Sequence, residues 1–226
     1  MSTCELSTEN DTVLIPQSAW RMAGFRRWMT DNGGPPRGRF SLLGNELLID
    51  MSPEELGNHN QVKTEIARVL ANLEQKLKLG IVFSDGSLLT NIDADLSTEP
   101  DAMFVSDENL RSKRSRLTPR KDSVGEYTEL VGAPDMVLEV VSKSSVRKDT
   151  SLLLDRYHRA GIAEYWLVQV DESRIDFRIL MREEDGYAPA AEKSGWQRSL
   201  VFNRSFRLTR KRRAFDLWRY TLKVKA

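Results

Sequence analysis

The 226-residue sequence contains one cysteine, two histidines and no long apolar run. Cys4 has no partner for an internal disulfide and sits in a polar stretch, where it reads as a bystander; a reducing cytoplasm is the simplest setting. His59 and His158 have no ligand partners at a useful spacing, so no zinc pattern is present. No apolar run approaches the roughly 20 residues that span a bilayer as a helix. The opening MSTCELSTENDTVL lacks a basic stretch followed by an apolar one, so no secretory signal is expected. A phosphate-binding glycine loop and a Gly-x-Ser-x-Gly elbow are also missing. Net charge is only +1, so the chain as a whole is not a basic DNA-binding protein.

What is there is ordinary for a globular domain: 40% apolar and 30% charged residues, at a length that fits one large domain or one domain with an appendage. The charge is unevenly placed. Arg111 to Lys121 holds six basic residues and no acid, and Arg198 to Ala226 holds ten basic residues and one acid, Asp216. Each cluster suits either polyanion contact or a solvated surface.

Residues 1–38 read as a polar leader followed by a short helix over Trp20–Met29, broken by Asn32–Gly38. From residue 39 the chain reads as a single domain. Phe40–Ile49 predicts a hairpin turning at Gly44-Asn45. Ser52-Pro53-Glu54-Glu55 looks like a helix start, a turn that Gly57 interrupts. Val62, Ile66, Val69, Leu70, Leu73 and Leu77 then mark one face of a longer helix, with Gly80 ending it. Strands are expected at Ile81–Ser84, Ser87–Ile92, Asp101–Ser106, Asp135–Ser142, Glu164–Val170 and Ile175–Leu180. A loop is expected over Arg111–Lys121, and a helix over Asp149–Ala160, capped by Asp149 and followed by Gly161. This order predicts an α/β domain around a mixed sheet.

Glu139 is the most informative residue. It interrupts Met136-Val137-Leu138-Glu139-Val140-Val141, which otherwise reads as a buried strand, and a buried carboxylate costs several kcal/mol unless a cation compensates. The other reading is an edge strand with Glu139 in water. Asp101, after Pro100 at a strand start, is by itself equally a turn residue. Two carboxylates on neighbouring strands would make a hard, oxygen-rich site suited to Mg²⁺ or Mn²⁺.

Several blocks in order resemble the Uma2 (DUF820) family of the PD-(D/E)XK nuclease superfamily. Glu46 to Pro53 resembles its "GELxxxMSP" hairpin, with His59-Asn60 following. Glu99 to Val105 resembles "xPDxxFV", and Gly132 to Ser142 resembles "GAPDLVVEVxS". Asp149, Tyr157, Ala160-Gly161 and Glu164 to Val168 resemble "D…Y…AGVxEYWLV". The resemblance implies a restriction-endonuclease-like core: a mixed central sheet flanked by helices, with an N-terminal β-hairpin. It implies that Asp101, Glu139 and the Val140 carbonyl hold Mg²⁺ or Mn²⁺. The superfamily lysine is expected at 141, which here is Val141. The alternative helix position, four residues after Asp149, is Leu153. Lys148 and Lys143 are the substitutes considered, Lys148 first. Glu65 on the long helix is a candidate for water-mediated metal support, and Asp50 lies near the hairpin; both also read as surface charge.

The reaction implied is metal-dependent endonucleolytic hydrolysis of DNA phosphodiesters, with DNA as the macromolecular partner and the basic clusters holding its backbone beside the site. Cutting both strands needs two sites, which a homodimer would supply. The lost lysine keeps a second reading open, a catalytically impaired nucleic-acid-binding or regulatory module on the same fold.

Overall fold

The protein is seen as a computed structural model that describes residues 3–7, 12–30, 35, 37–121 and 123–226. The expected polar leader is not loose there. β1 (Thr3–Ser7) and β2 (Thr12–Pro16) pair antiparallel. Alternation in β2 buries Val13 and Ile15, which the polar composition around them had masked. The short helix is α1 (Met22–Thr30), burying Phe25. Arg26 anchors it through a two-pronged contact with Glu129, at 2.8 and 2.7 Å. The break expected at Asn32–Gly38 falls largely outside the described residues. β3 (Arg39–Leu43) and β4 (Glu46–Asp50) form the expected hairpin, with Gly44 at φ 63°.

Ser52 to Glu55 does not start a helix. Glu55 itself is extended, and its carboxylate accepts the amides of Gly57, Asn58 and His59. This cap opens a wide i→i+5 turn over Leu56–Asn60, which runs into α2 (Gln61–Leu77). Glu55 is thus the cap, three residues beyond the expected one. Lys78, left-handed at φ 52°, ends the helix, and Gly80 already belongs to β5 (Gly80–Ser84).

β6 (Leu88–Asn91), β7 (Leu96–Thr98), β8 (Ala102–Ser106) and α3 (Asp107–Arg111) follow. The basic segment expected as a loop contains β9 (Ser115–Pro119), paired with β10 (Tyr127–Gly132). Next come β11 (Met136–Val140), a wide turn over Lys148–Leu152, and α4 (Leu153–Arg159). Asp149 lies inside that turn and does not cap it. Gly161 follows α4 at φ 80°, as expected. The chain ends in β12 (Glu164–Val170), β13 (Ile175–Arg182), β14 (Tyr187–Pro189), β15 (Glu192–Lys193), β16 (Trp196–Ser199), β17 (Arg204–Arg212) and β18 (Trp218–Lys225).

Besides the β1-β2 pair, the described residues form three sheets. The central one runs β14-β13-β12-β11-β8-β5, a second β4-β3-β7-β6-β10-β9, and a third β15-β16-β17-β18. β11 with β12 and β6 with β10 are parallel, so the α/β architecture with a mixed sheet is present. Period-2 alternation gives the central sheet two apolar faces. Met136, Leu138, Val140 and Trp166 pack on Val62, Ile66 and Leu70 of α2 and on Phe206, Leu208, Tyr220 and Leu222 of the third sheet. Val137, Val141, Tyr165 and Leu167 pack on Leu153 and Tyr157 of α4 and on Leu89, Leu96 and Leu130 of the second sheet. Val13, Ile15 and Phe25 share a third cluster with Phe40 and Leu42. Among the described residues no helix is long and apolar enough to cross a membrane.

Candidate active site

Sheet register brings the two carboxylates together. Leu138 pairs with Ala102 across β11 and β8, so Glu139 and Asp101 are the next opposed positions. Glu139 is only 3% exposed, which settles the sequence ambiguity in favour of a buried strand. Its side chain leaves the β11 face that carries Val137 and Val141, toward α4. Both carboxylates line a cavity of ≈ 220 Å³ that also takes in the Val140 backbone, Lys148, Asp149, Arg39 and Asp50.

Each ligand candidate is held by named groups. Asp101 Oδ2 accepts the Val140 amide at 2.6 Å. Glu139 Oε1 accepts the Tyr157 hydroxyl at 2.6 Å. The Val140 carbonyl meets His59 Nε2 at 2.5 Å, and His59 Nδ1 meets Glu54 Oε1 at 2.7 Å. Because the carbonyl has two lone pairs, the His59 contact leaves it one more acceptor direction.

Two lysines sit on the carboxylates. Lys148 Nζ lies 3.7 Å from Glu139 Oε2 and 3.2 Å from Asp149 Oδ1. Lys63, buried on α2, lies 3.3 Å from Asp101 Oδ1 and also contacts Asp85 at 2.8 Å and Glu54 at 3.1 Å. Burial pushes Glu139 well above the usual carboxylate range, opposed by the Lys148 charge. Burial likewise raises Asp149, again against Lys148. Burial works against the charge on Lys148 itself, but Glu139 and Asp149 outweigh it and hold its pKa above the ordinary lysine value.

Lys143 is exposed and does not line this cavity. The two positions at which the resemblance places a lysine are apolar for a packing reason: Val141 and Leu153 belong to the cluster between the central sheet and α4. Glu65 turns to the other side, accepting the Leu222 amide at 2.9 Å and pairing with Arg68. Asp50 lines the cavity, but its carboxylate is engaged by Ser52, Ser144 and Arg39. Sequence reading missed Lys63, His59 as a contact of the Val140 carbonyl, Glu54, and Tyr157 as the Glu139 donor. Lys63 did carry a signal: positions 59, 63, 66 and 70 share the helical spacing of the buried face, so a lysine there is a buried charge in need of partners.

The donor set suits a hard divalent cation. Among the described residues no three His, Cys, Asp or Glu side chains are grouped to hold a metal, and Val140, whose amide donates to Asp101, lines the cavity with the two acids. Asp149 Oδ1 is buried without a hydrogen bond of good geometry, its contact being the Lys148 ammonium. Asp101, Glu139 and Asp149 therefore form a buried acidic group that the two lysines only partly balance, since Lys63 is shared with Asp85 and Glu54.

Comparison with solved structures finds a likeness to a putative nuclease belonging to DUF820 from Anabaena variabilis ATCC 29413. The TM-score is 0.53 at 16% identity, covering 73% of this chain and 83% of that one. At that identity the likeness establishes the fold. Comparison with curated proteins gives no match. The Uma2 family model, described as "Putative restriction endonuclease", matches residues 23–210. Because that match runs over most of the chain and takes in both carboxylates and Lys148, the protein belongs to the Uma2 family.

Proposed function

We propose that the protein is a divalent-metal-dependent endonuclease that hydrolyses DNA phosphodiester bonds. The observation that carries this reading is the register-adjacent pair Asp101 and Glu139, on the wall of a cavity that Val140 and Lys148 also line. Asp101, Glu139 and Val140 would hold Mg²⁺ or Mn²⁺. Such an ion, when bound, lowers the pKa of its water and stabilises charge on the reacting phosphate. Lys148 is the catalytic cation: its ammonium lies on the Glu139 side of the pair, where it can orient a water or offset negative charge developing on the phosphate oxygens. His59 is a positioning residue that contacts the Val140 carbonyl and lies 3.9 Å from Asp101 Oδ2, while Glu54 fixes the imidazole. Lys63 holds Asp101 in place. Arg39 and Arg147 line the same cavity and supply positive charge for the phosphates on either side of the scissile one.

A second reading has its own support. Lysine ammonium groups already lie on both carboxylates, a compensation that a binding module without a metal would need. One assay separates the two. Purified protein is incubated with supercoiled, linear and single-stranded DNA and Mg²⁺ or Mn²⁺. The nuclease reading expects cleavage that chelation abolishes and that Asp101→Asn lowers by on the order of 10²-fold or more. No cleavage of any DNA form with either ion would overturn it.

A further inference from the structure

The third sheet has one face in the core and one in solvent, and the two differ sharply in chemistry. Phe206, Leu208, Tyr220 and Leu222 point inward. The outward positions of β17 and β18 include Arg207, Lys211, Arg219 and Lys223, all exposed. Register sets Arg207 directly opposite Lys223 and Lys211 directly opposite Arg219. Like charges directly opposed on one sheet face repel and destabilise the pair. No acid interrupts the face, because β16, β17 and β18 contain none. Among the described residues none of these four has a carboxylate partner, whereas Arg212 near the hairpin tip pairs with Glu172 and Asp216. Lys225 extends the same face, its ammonium 4.4 Å from the ring centre of Trp196.

The face also looks away from the cleft. The inward side chains of the third sheet pack on the central-sheet face that carries Leu138 and Val140, while Glu139 leaves the opposite face. The expectation that this basic segment flanks the carboxylates does not describe these four residues.

We infer that the outer face of β16–β18 is a second DNA-holding surface, which grips the phosphate backbone of a duplex stretch other than the one in the cleft. An exposed face with opposed cationic pairs and no internal neutralisation fits a dense line of phosphates, which would relieve the repulsion it carries. Arg and Lys contacts to phosphates carry no base code, and Thr209 opposite Thr221 between the charged rows adds no base-reading amide, so this grip is independent of sequence. The inference rests on the nuclease reading only for its choice of DNA as the polyanion.

The test uses full-length protein carrying Asp101→Asn, so that bound duplex survives, and measures duplex affinity by fluorescence anisotropy between ~50 and ~200 mM salt. Replacing Arg207, Lys211, Arg219 and Lys223 by Gln should reduce the slope of log affinity against log salt by up to about 3.6, four contacts at about 0.9 each. Without DNA, the same variant should melt no lower than its parent, because the opposed like charges are gone. The charge-preserving pair Arg207→Lys and Arg219→Lys should keep the parental slope, which guards against a loss caused by misfolding. An unchanged slope in the Gln variant overturns the proposal. So does binding of phosphatidylserine vesicles through these residues with no contribution to duplex binding. Metal-dependent plasmid nicking by chains with intact Asp101 keeps the two readings apart: nicking with an unchanged slope defeats this surface and spares the nuclease, while a reduced slope with no nicking does the reverse.

Discussion

Three buried glutamates in strands show what separates a structural acid from a candidate ligand. Glu129 is matched by both prongs of Arg26. Glu164 accepts Trp166 Nε1, Ser199 Oγ and the amides of Leu200 and Val201. Glu139 has one hydroxyl donor and one lysine and opens on a cavity. All three interrupt or border apolar runs, so the sequence marks a buried acid without saying whether donors saturate it. That depends on residues as distant as Arg26 or Leu200. The Lys148 ammonium, proposed by elimination, stands 3.7 Å from Glu139 Oε2; Lys63 was not read although its place in the buried helical stripe marks it, because the partners that compensate its charge, Glu54, Asp85 and Asp101, lie outside its helix. If Lys148 is the catalytic cation, Lys148→Ala should lower turnover by roughly 10²-fold. Calorimetric Mn²⁺ affinity should stay within a few-fold of the parent, and Lys143→Ala should cleave like the parent. Equal turnover in the parent and Lys148→Ala would remove Lys148 from the mechanism. Glu54 supplies a pH test. Burial alone would raise its pKa, but hydrogen bonds and charge from His59 and Lys63 bring it from 4.5 down to about 2. A depressed acid contributes stability fully above its unfolded pKa and loses it as pH falls toward the folded one. Urea midpoints should therefore drop between about pH 4.5 and 2, and Glu54→Gln should lower the neutral-pH midpoint while flattening that acid limb.

At the level of elements, long alternating or helical patterns were legible and short polar ones were not. The β3–β4 hairpin, α2, β11 and β12 stand where their apolar spacing puts them. β9 was read as a loop because four of the residues from Arg111 to Arg116 are basic; its pairing with β10 comes from long-range contact, not from its own composition. The helical turn expected at Ser52 is absent because Ser52-Pro53-Glu54-Glu55 satisfies a capping pattern only locally, while Glu55 uses its carboxylate on the amides beyond it. Glu54 is thereby left free for His59 and Lys63, so this displaced cap also shapes the site. Gly132 shows the opposite case, a residue whose need is set by a neighbour. It has φ +128°, and a Cβ there would lie 2.2 Å from the Arg114 carbonyl oxygen and 2.7 Å from Ser115 Cα. β9 passes too close for any side chain, two residues before the Pro134-Asp135 lead into β11. Gly132→Ala should cost about 2 kcal/mol or more, a fall in melting temperature of roughly 5 °C, readable by calorimetry. A melting curve superimposable on the parent's would show that β9 can move aside.

Across the whole molecule the site depends on layers that contribute no ligand to it. The third sheet covers the back of β11, and its Tyr220 hydroxyl donates to Asn58 Oδ1 at 2.7 Å, in the turn that carries His59. Leu222 meets Glu65 on α2 through its amide, which explains why a helix acid that looked like metal support is structural. This layer was the least legible part of the chain. Phe206 with Leu208 and Tyr220 with Leu222 do alternate, but the ten basic residues around them drew the reading toward polyanion contact or a solvated surface. Phe206 is the test of its weight. It is fully buried, with its ring 4.6 Å from Trp166 and 5.9 Å from Phe202. Truncation to Ala removes an aromatic from a packed contact and leaves a cavity, a loss of about 3–5 kcal/mol. Total stabilities of domains are about 5–15 kcal/mol, so Phe206→Ala should shift the denaturant midpoint by a large fraction of its value. If the sheet braces the His59 turn, amide exchange at Asn58 and His59 should also speed up in this variant under native conditions. Exchange there as slow as in the parent, with the midpoint lowered, would mean that the sheet stabilises the core without bracing the site.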